Sequence, residues 1–160
     1  RDMTKRYLAL SGRIRQELCE IAMVIDRTEI GWRHLQQSGD DFYLDSVALN
    51  LHSFYTALEK LFELIATTID QVKPQGENWH QELLRQMAIE IELVRPAVIS
   101  KETRNILDEY RGFRHIVRNV YSLTLSATRI EPLVMNLRDS FNNVEREMED
   151  FLNFLDVQTR

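Results

Sequence analysis

The chain of 160 residues is predicted to be all-α, an antiparallel helical bundle of four long helices and one short one. Three observations predict it. Apolar residues recur at three- and four-residue steps through most of the chain, the period of a helix with one buried face. Glycine (5) and proline (3) are scarce, which disfavours a turn-rich β fold. No segment reads as a strand, and the connections are short, which favours antiparallel neighbours.

Residues 3–37 form the first expected helix. Ile14, Leu18, Ile21, Ile25, Trp32 and Leu35 carry its stripe, with Thr28 filling a gap and Gly12 and Gly31 weakening it locally. Gly39 is the natural C-cap, and Asp40 or Asp41 the next N-cap. The second helix, 41–71, has the strongest pattern. Leu44, Val47, Leu51, Phe54, Leu58, Leu61, Ile65 and Ile69 repeat as heptads, and Ala48, Tyr55 and Phe62 widen the stripe. His52, Tyr55 and Glu59 share one edge of it; such a trio more often forms a packed tyrosine with a hydrogen-bonded rim than a site. Pro74 and Gly76 mark a loop. Asn78 is then a suitable N-cap for a shorter helix from Trp79 to about Leu93, with Trp79, Leu83, Met87 and Ile91 on its apolar face. His80, in its first turn, lacks partners at metal-ligand spacing and reads as a hydrogen-bonding structural residue.

Arg95-Pro96 ends that helix, and Ser100 caps the next, which is expected to reach Leu123. A linker of residues 124–130 leads to the last helix, where Pro132 suits the first turn. Leu137, Phe141, Val144, Met148, Phe151 and Leu155 give it a continuous stripe.

The length fits one domain covering residues 1–160. A net charge of −5 argues against coating nucleic acid non-specifically, yet leaves room for a local basic pocket. Cys19 is the single cysteine, so no internal disulfide forms and a reducing, cytoplasmic setting is expected. No apolar run approaches a membrane span, and nothing reads as a signal peptide. The chain opens Arg1-Asp2-Met3, which leaves its native start open.

Function is sought on the helix after Ser100. On a wheel of about 100° per residue, Ile106, Tyr110, Phe113, Val117 and Val120 fall in one apolar arc. Beside it lie Arg104, Arg111, Arg114, His115, Arg118, Asn119 and Tyr121. Like charges at steps of three and four cost a few tenths of a kcal/mol each. An acidic chain that gathers arginine there has an anion to meet, unless Asp108 and acids of neighbouring helices neutralise it. A glycine-rich phosphate loop, a C-x-x-C pair and a nucleophile elbow are all missing, so no cofactor or metal is expected.

The segment F-R-H-I-V-R-N-V-Y at 113–121 resembles the signature helix of HEPN domains, specifically the HepT-like toxins of bacterial toxin–antitoxin pairs. L-H-S-F-Y-T-A-L-E-K-L-F-E-L-I-A at 51–66, P-Q-G-E-N-W-H-Q-E-L-L at 74–84 and R-P-A-V-I-S at 95–100 also look like segments of that family. The family pattern is arginine, a polar residue, three more residues, histidine, one residue, tyrosine. Arg114 takes the arginine place, His115 the polar place, Asn119 the histidine place and Tyr121 the tyrosine place.

The resemblance implies metal-independent RNA cleavage at a site assembled by a homodimer. Arg114, His115, Asn119 and Tyr121 would form the centre, with Arg104, Arg111 and Arg118 on RNA. It also implies a nucleotidyltransferase antitoxin of the MntA type that adds AMP to the tyrosine, here Tyr121. The departure is Asn119, since an amide does not shuttle protons near neutral pH. His115 is the imidazole on that face, and two copies from two subunits could serve as acid and base. The alternative is a non-catalytic HEPN module that binds nucleotide, RNA or the nucleotidyltransferase, and a third reading is a scaffold whose arginines dock an acidic partner.

Overall fold

The structure, a computed structural model, describes the backbone of residues 2–119 and 125–160 and the side chains of residues 3–114 and 125–160. Among the described residues there are five α-helices and no strands: α1 Asp2–Ser38, α2 Asp41–Ile65, α3 Trp79–Met87, α4 Lys101–Asn119 and α5 Ala127–Gln158. A π-helical turn, Ala66–Asp70, extends α2.

The predicted stripes build the core. Ile14, Leu18, Ile21 and Ile25 of α1, the heptad residues of α2, and Leu137 to Leu155 of α5 are buried in one apolar cluster. Thr28 is fully buried among them because its hydroxyl donates to the Val24 carbonyl at 2.8 Å, so it brings no unsatisfied polar atom inside. Between α1 and α2, Gly39 adopts φ +67° and donates its N–H to the Leu35 carbonyl, which closes α1. Asp40 then caps α2 by accepting from the Phe42 N–H at 3.0 Å.

Contacts give the directions. Gly31 near the end of α1 lies against Val47 near the start of α2, so these two are antiparallel. Arg138 of α5 reaches Asp26 and Glu29, and Arg15 reaches Asp156, so α5 is antiparallel to α1. Glu147 of α5 accepts from Ser100 and Thr103, and the Tyr110 hydroxyl donates to the Leu133 carbonyl, so α4 and α5 are antiparallel too. α4 touches α2 through two contacts: Phe54 of α2 meets Tyr110 edge-on at 5.3 Å, and Glu59 meets Arg114 at 2.5 Å. Residues 71–100, α3 among them, form the crossover from the end of α2 to the start of α4.

The crossover is fixed by one buried ion pair. Arg95 is fully enclosed; its Nε and Nη2 donate to Asp70 at 2.5 and 2.7 Å, and its remaining contacts are the Gln86, Ile89 and Pro96 carbonyls. Gln86 Nε2 donates to Asp70 and to the Val72 carbonyl.

Four expectations about elements are corrected. α3 ends at Met87 instead of near Leu93, because the Met87 carbonyl accepts from Val98 and Ile99 and Arg95 draws the Gln86 and Ile89 carbonyls toward itself. Asn78 holds the cap position without a side-chain cap bond. α2 widens into the π turn, where Thr67 donates to the Glu63 and Leu64 carbonyls, before Gln71 turns left-handed at φ 58°. α5 begins at Ala127, so Pro132 lies inside it; Ile130, buried at 1% exposure, starts the apolar stripe ahead of the proline.

Candidate functional site

α4 begins as the sequence suggested. Ser100 Oγ accepts from the Thr103 N–H at 3.1 Å, and Glu147 accepts from the Ser100 N–H at 2.6 Å, satisfying donors that a helix start leaves open. Its buried face is turned from the predicted arc. Thr103, Leu107 and Tyr110 are the buried residues, while Ile106 and Phe113 are half-buried. Val117 lacks a described side chain and Val120 lies outside the described residues.

That rotation changes what Arg114 is. It follows Tyr110 by four and Leu107 by seven, so it occupies the next position of the core stripe. Its side chain is 13% exposed and donates from Nη1 to Glu59 Oε1 at 2.5 Å. Glu59 in turn sits in the widened stripe of α2, between Tyr55 and Phe62, and is 4% exposed. Opposite charges thus face each other at stripe positions of α2 and α4. The other carboxylate oxygen, Oε2, lies 2.8 Å from His80 Nδ1, brought in by the first turn of α3. His80 lies against Trp79, ring centres 3.7 Å apart and planes tilted by 31°, and the Lys73 ammonium stands 5.0 Å over the Trp79 ring. Tyr55 is buried beside this group, and burial followed by the nearby Glu59 charge pushes its phenol far up.

Arg111 donates to Asp108 at 2.6 Å, the neighbour expected from sequence. Arg104 reaches Asn105 and lines a groove of 350 Å3 between α3 and α4 with Gln81, Leu84, Arg85 and Asp108. The three described arginines of the predicted site therefore face two carboxylates, and the face is only weakly cationic among the described residues. His115, Arg118 and Asn119 continue α4, but their side chains, and Tyr121 entirely, lie outside the described residues. The structure brings Arg114 and Arg111 to the Tyr55 edge of α2 and places Arg104 farther back along the groove.

Sequence reasoning set Glu59 on a packed edge of α2 with His52 and Tyr55 and read His80 as a hydrogen-bonding residue, but joined neither to Arg114. A signal existed for the first: an acid on a stripe otherwise filled by Tyr55 and Phe62 needs a cation opposite. None existed for His80, since its approach depends on the crossover. Among the described residues no group of three or more His, Cys, Asp or Glu is arranged to hold a metal ion, and no helix is long and apolar enough to cross a membrane.

Comparison with known proteins places residues 46–155 in the family described as HepT-like protein. No curated protein and no solved structure matches the chain.

Proposed function

The chain belongs to the HepT-like family of HEPN proteins, and we propose that it is a toxin-type endoribonuclease that cleaves RNA without a metal ion as a homodimer. One observation carries this reading. Arg114, in the arginine place of the signature helix, is anchored on the buried Glu59 instead of waving from a solvated face. Burying a charge pair costs several kcal/mol of desolvation per ion before attraction offsets it. What it yields here is an oriented guanidinium, the group that recognises a phosphate by paired donors. RNA cleavage of this type builds charge on phosphorus, and a preorganised cation stabilises that charge.

In this proposal His115, Asn119 and Tyr121 complete the centre, and Arg104, Arg111 and Arg118 hold the phosphate chain. A second copy contributes the same face, which doubles the cations along the strand. Tyr121 is the proposed target of a partner nucleotidyltransferase; an added AMP would put a phosphate among the arginines, where RNA must bind. The second reading is a module that binds RNA or nucleotide without cutting it, and Asn119 in the histidine place favours it.

The test is incubation of the purified chain with labelled transfer RNA and single-stranded oligonucleotides in excess chelator. Cleavage that persists in chelator, leaves 2′,3′-cyclic phosphate ends and falls in Arg114→Lys supports the enzyme. Tight binding of a 2′-deoxy oligonucleotide with intact RNA after prolonged incubation supports the binding module instead.

A further inference from the structure

RNA cleavage needs a group that moves a proton, and the motif offers Asn119 where a histidine is expected. An imidazole arrives from outside the motif. His80 Nδ1 is 2.8 Å from Glu59 Oε2, while Oε1 of the same carboxylate is 2.5 Å from Arg114 Nη1. An ionised carboxylate only accepts, so Nδ1 carries the proton of that bond and the lone pair of a neutral ring lies on Nε2. The His80 side chain is 24% exposed and its carboxylate anchor 5%, so the ring reaches solvent and the group that aims it does not. Trp79, its ring centre 3.7 Å away and tilted by 31°, crowds the imidazole on one side while Glu59 holds it at Nδ1. A buried carboxylate that orients an imidazole by its Nδ1–H is the arrangement by which a histidine becomes an efficient base.

We infer that His80 is the proton carrier of this site, a role that rests on the ribonuclease reading above. Neutral Nε2 takes the proton of the ribose 2′-hydroxyl as O2′ attacks phosphorus. The O2′–P bond forms, the P–O5′ bond breaks, and Arg114 faces the charge that gathers on the phosphoryl oxygens. The leaving O5′ takes a proton from water, and His80 returns the one it gained to solvent. Glu59 accepts from both partners, tying base and cation into one unit across α2, α3 and α4.

The experiment compares the full-length chain with His80→Asn, His80→Ala and His115→Ala on a labelled RNA oligonucleotide, alongside thermal unfolding of each. The expected result is a loss of at least about a hundredfold in kcat for both His80 variants, the usual contribution of one acid–base group. KM stays near wild type; His80→Asn, which keeps a donor for Glu59, melts near wild type, His80→Ala melts a few degrees lower, and added imidazole restores part of the His80→Ala rate. A His80→Asn rate near wild type overturns the assignment and leaves the ribonuclease standing, with His115→Ala then reporting on the other imidazole. A loss carried by KM or by lowered stability, without rescue by imidazole, marks His80 as structural and also overturns it. A wild-type chain that binds RNA and cuts nothing removes the enzyme reading itself, and this role with it.

Discussion

Replacing Arg114 by methionine isolates what the α2–α4 ion pair is worth. Methionine keeps an unbranched, flexible stem in the stripe, so packing changes little. The Glu59 carboxylate, only 5% exposed, then loses its cation and keeps His80 alone. Removing one partner of a fully buried pair costs about 3–5 kcal/mol. Here Arg114 is 13% exposed and the second partner remains, so the expected loss is about 2–3 kcal/mol. For a chain of this size that lowers the melting temperature by roughly 4–12 °C. Adding Glu59→Gln removes the stranded charge, and the double variant is expected within about 1 kcal/mol of wild type, a coupling of the size seen for contacting residues. Urea unfolding followed by far-ultraviolet circular dichroism at 25 °C measures all four proteins, and an unchanged slope guards the comparison. A wild-type midpoint for Arg114→Met, or a double variant that loses the sum of the two single losses, refutes the reasoning. The double variant also serves enzymology, since it is folded while lacking the guanidinium.

Three further outcomes follow from the packing. Arg95→Ala strands the enclosed Asp70 and is expected to cost about 3–5 kcal/mol in the same urea assay, among the largest losses available in this chain. Gly12 has open space where a Cβ would go, whereas a Cβ on Gly31 meets Val47 Cγ2 at 3.2 Å. Gly12→Ala should therefore raise stability by about 0.5–1 kcal/mol, and Gly31→Ala should gain less or lose, as calorimetry of the two variants will show. Burial, against the opposing Ser140 hydrogen bond, pushes the Tyr110 phenol from 10.0 up to about 12. Its folded-state value is the higher one, so its stabilising share is complete below pH 10.0 and is lost as pH rises toward 12. Tyr110→Phe forfeits the bond to the Leu133 carbonyl, about 1 kcal/mol at pH 8, and should flatten the alkaline limb of stability against pH.

The long helices were legible because each carries a stripe that repeats for many turns, and the Gly39–Asp40 punctuation was legible because its two residues have local jobs. What sequence misjudged was decided at a distance. Nothing near Met87 announces the end of α3; its last carbonyls are claimed by Arg95 and by Val98 and Ile99 after the chain has turned. Ile130 starts α5 ahead of Pro132 because the core receives it, a tertiary contact that outweighs the proline's usual place. The wheel of α4 was drawn through Ile106, Tyr110 and Phe113; Tyr110 is inside as drawn, held by Phe54 and the Leu133 carbonyl, but Thr103 and Leu107 join it there while Ile106 and Phe113 are half-buried. A rotation of that size moves Arg114 from the flank into the stripe. Arg114 was therefore found from sequence by its pattern, and its partner Glu59 only by the fold. His80 belongs to the same lesson, being carried to Glu59 by a segment whose path no local residue dictates.

The Asp70–Arg95 clamp has a practical corollary for anyone altering this protein. It pins the close of α2 and the close of the crossover at a single point, so α3 hangs from its far end like a gate from its post. Extra residues let in at the solvent-facing bend around Gln75 and Gly76 cost little closure entropy and leave the post untouched. Tags, reporters or tethers belong there. Disturbing the post, although it touches neither Glu59 nor His80, swings the whole gate and misaims the ring at its free edge.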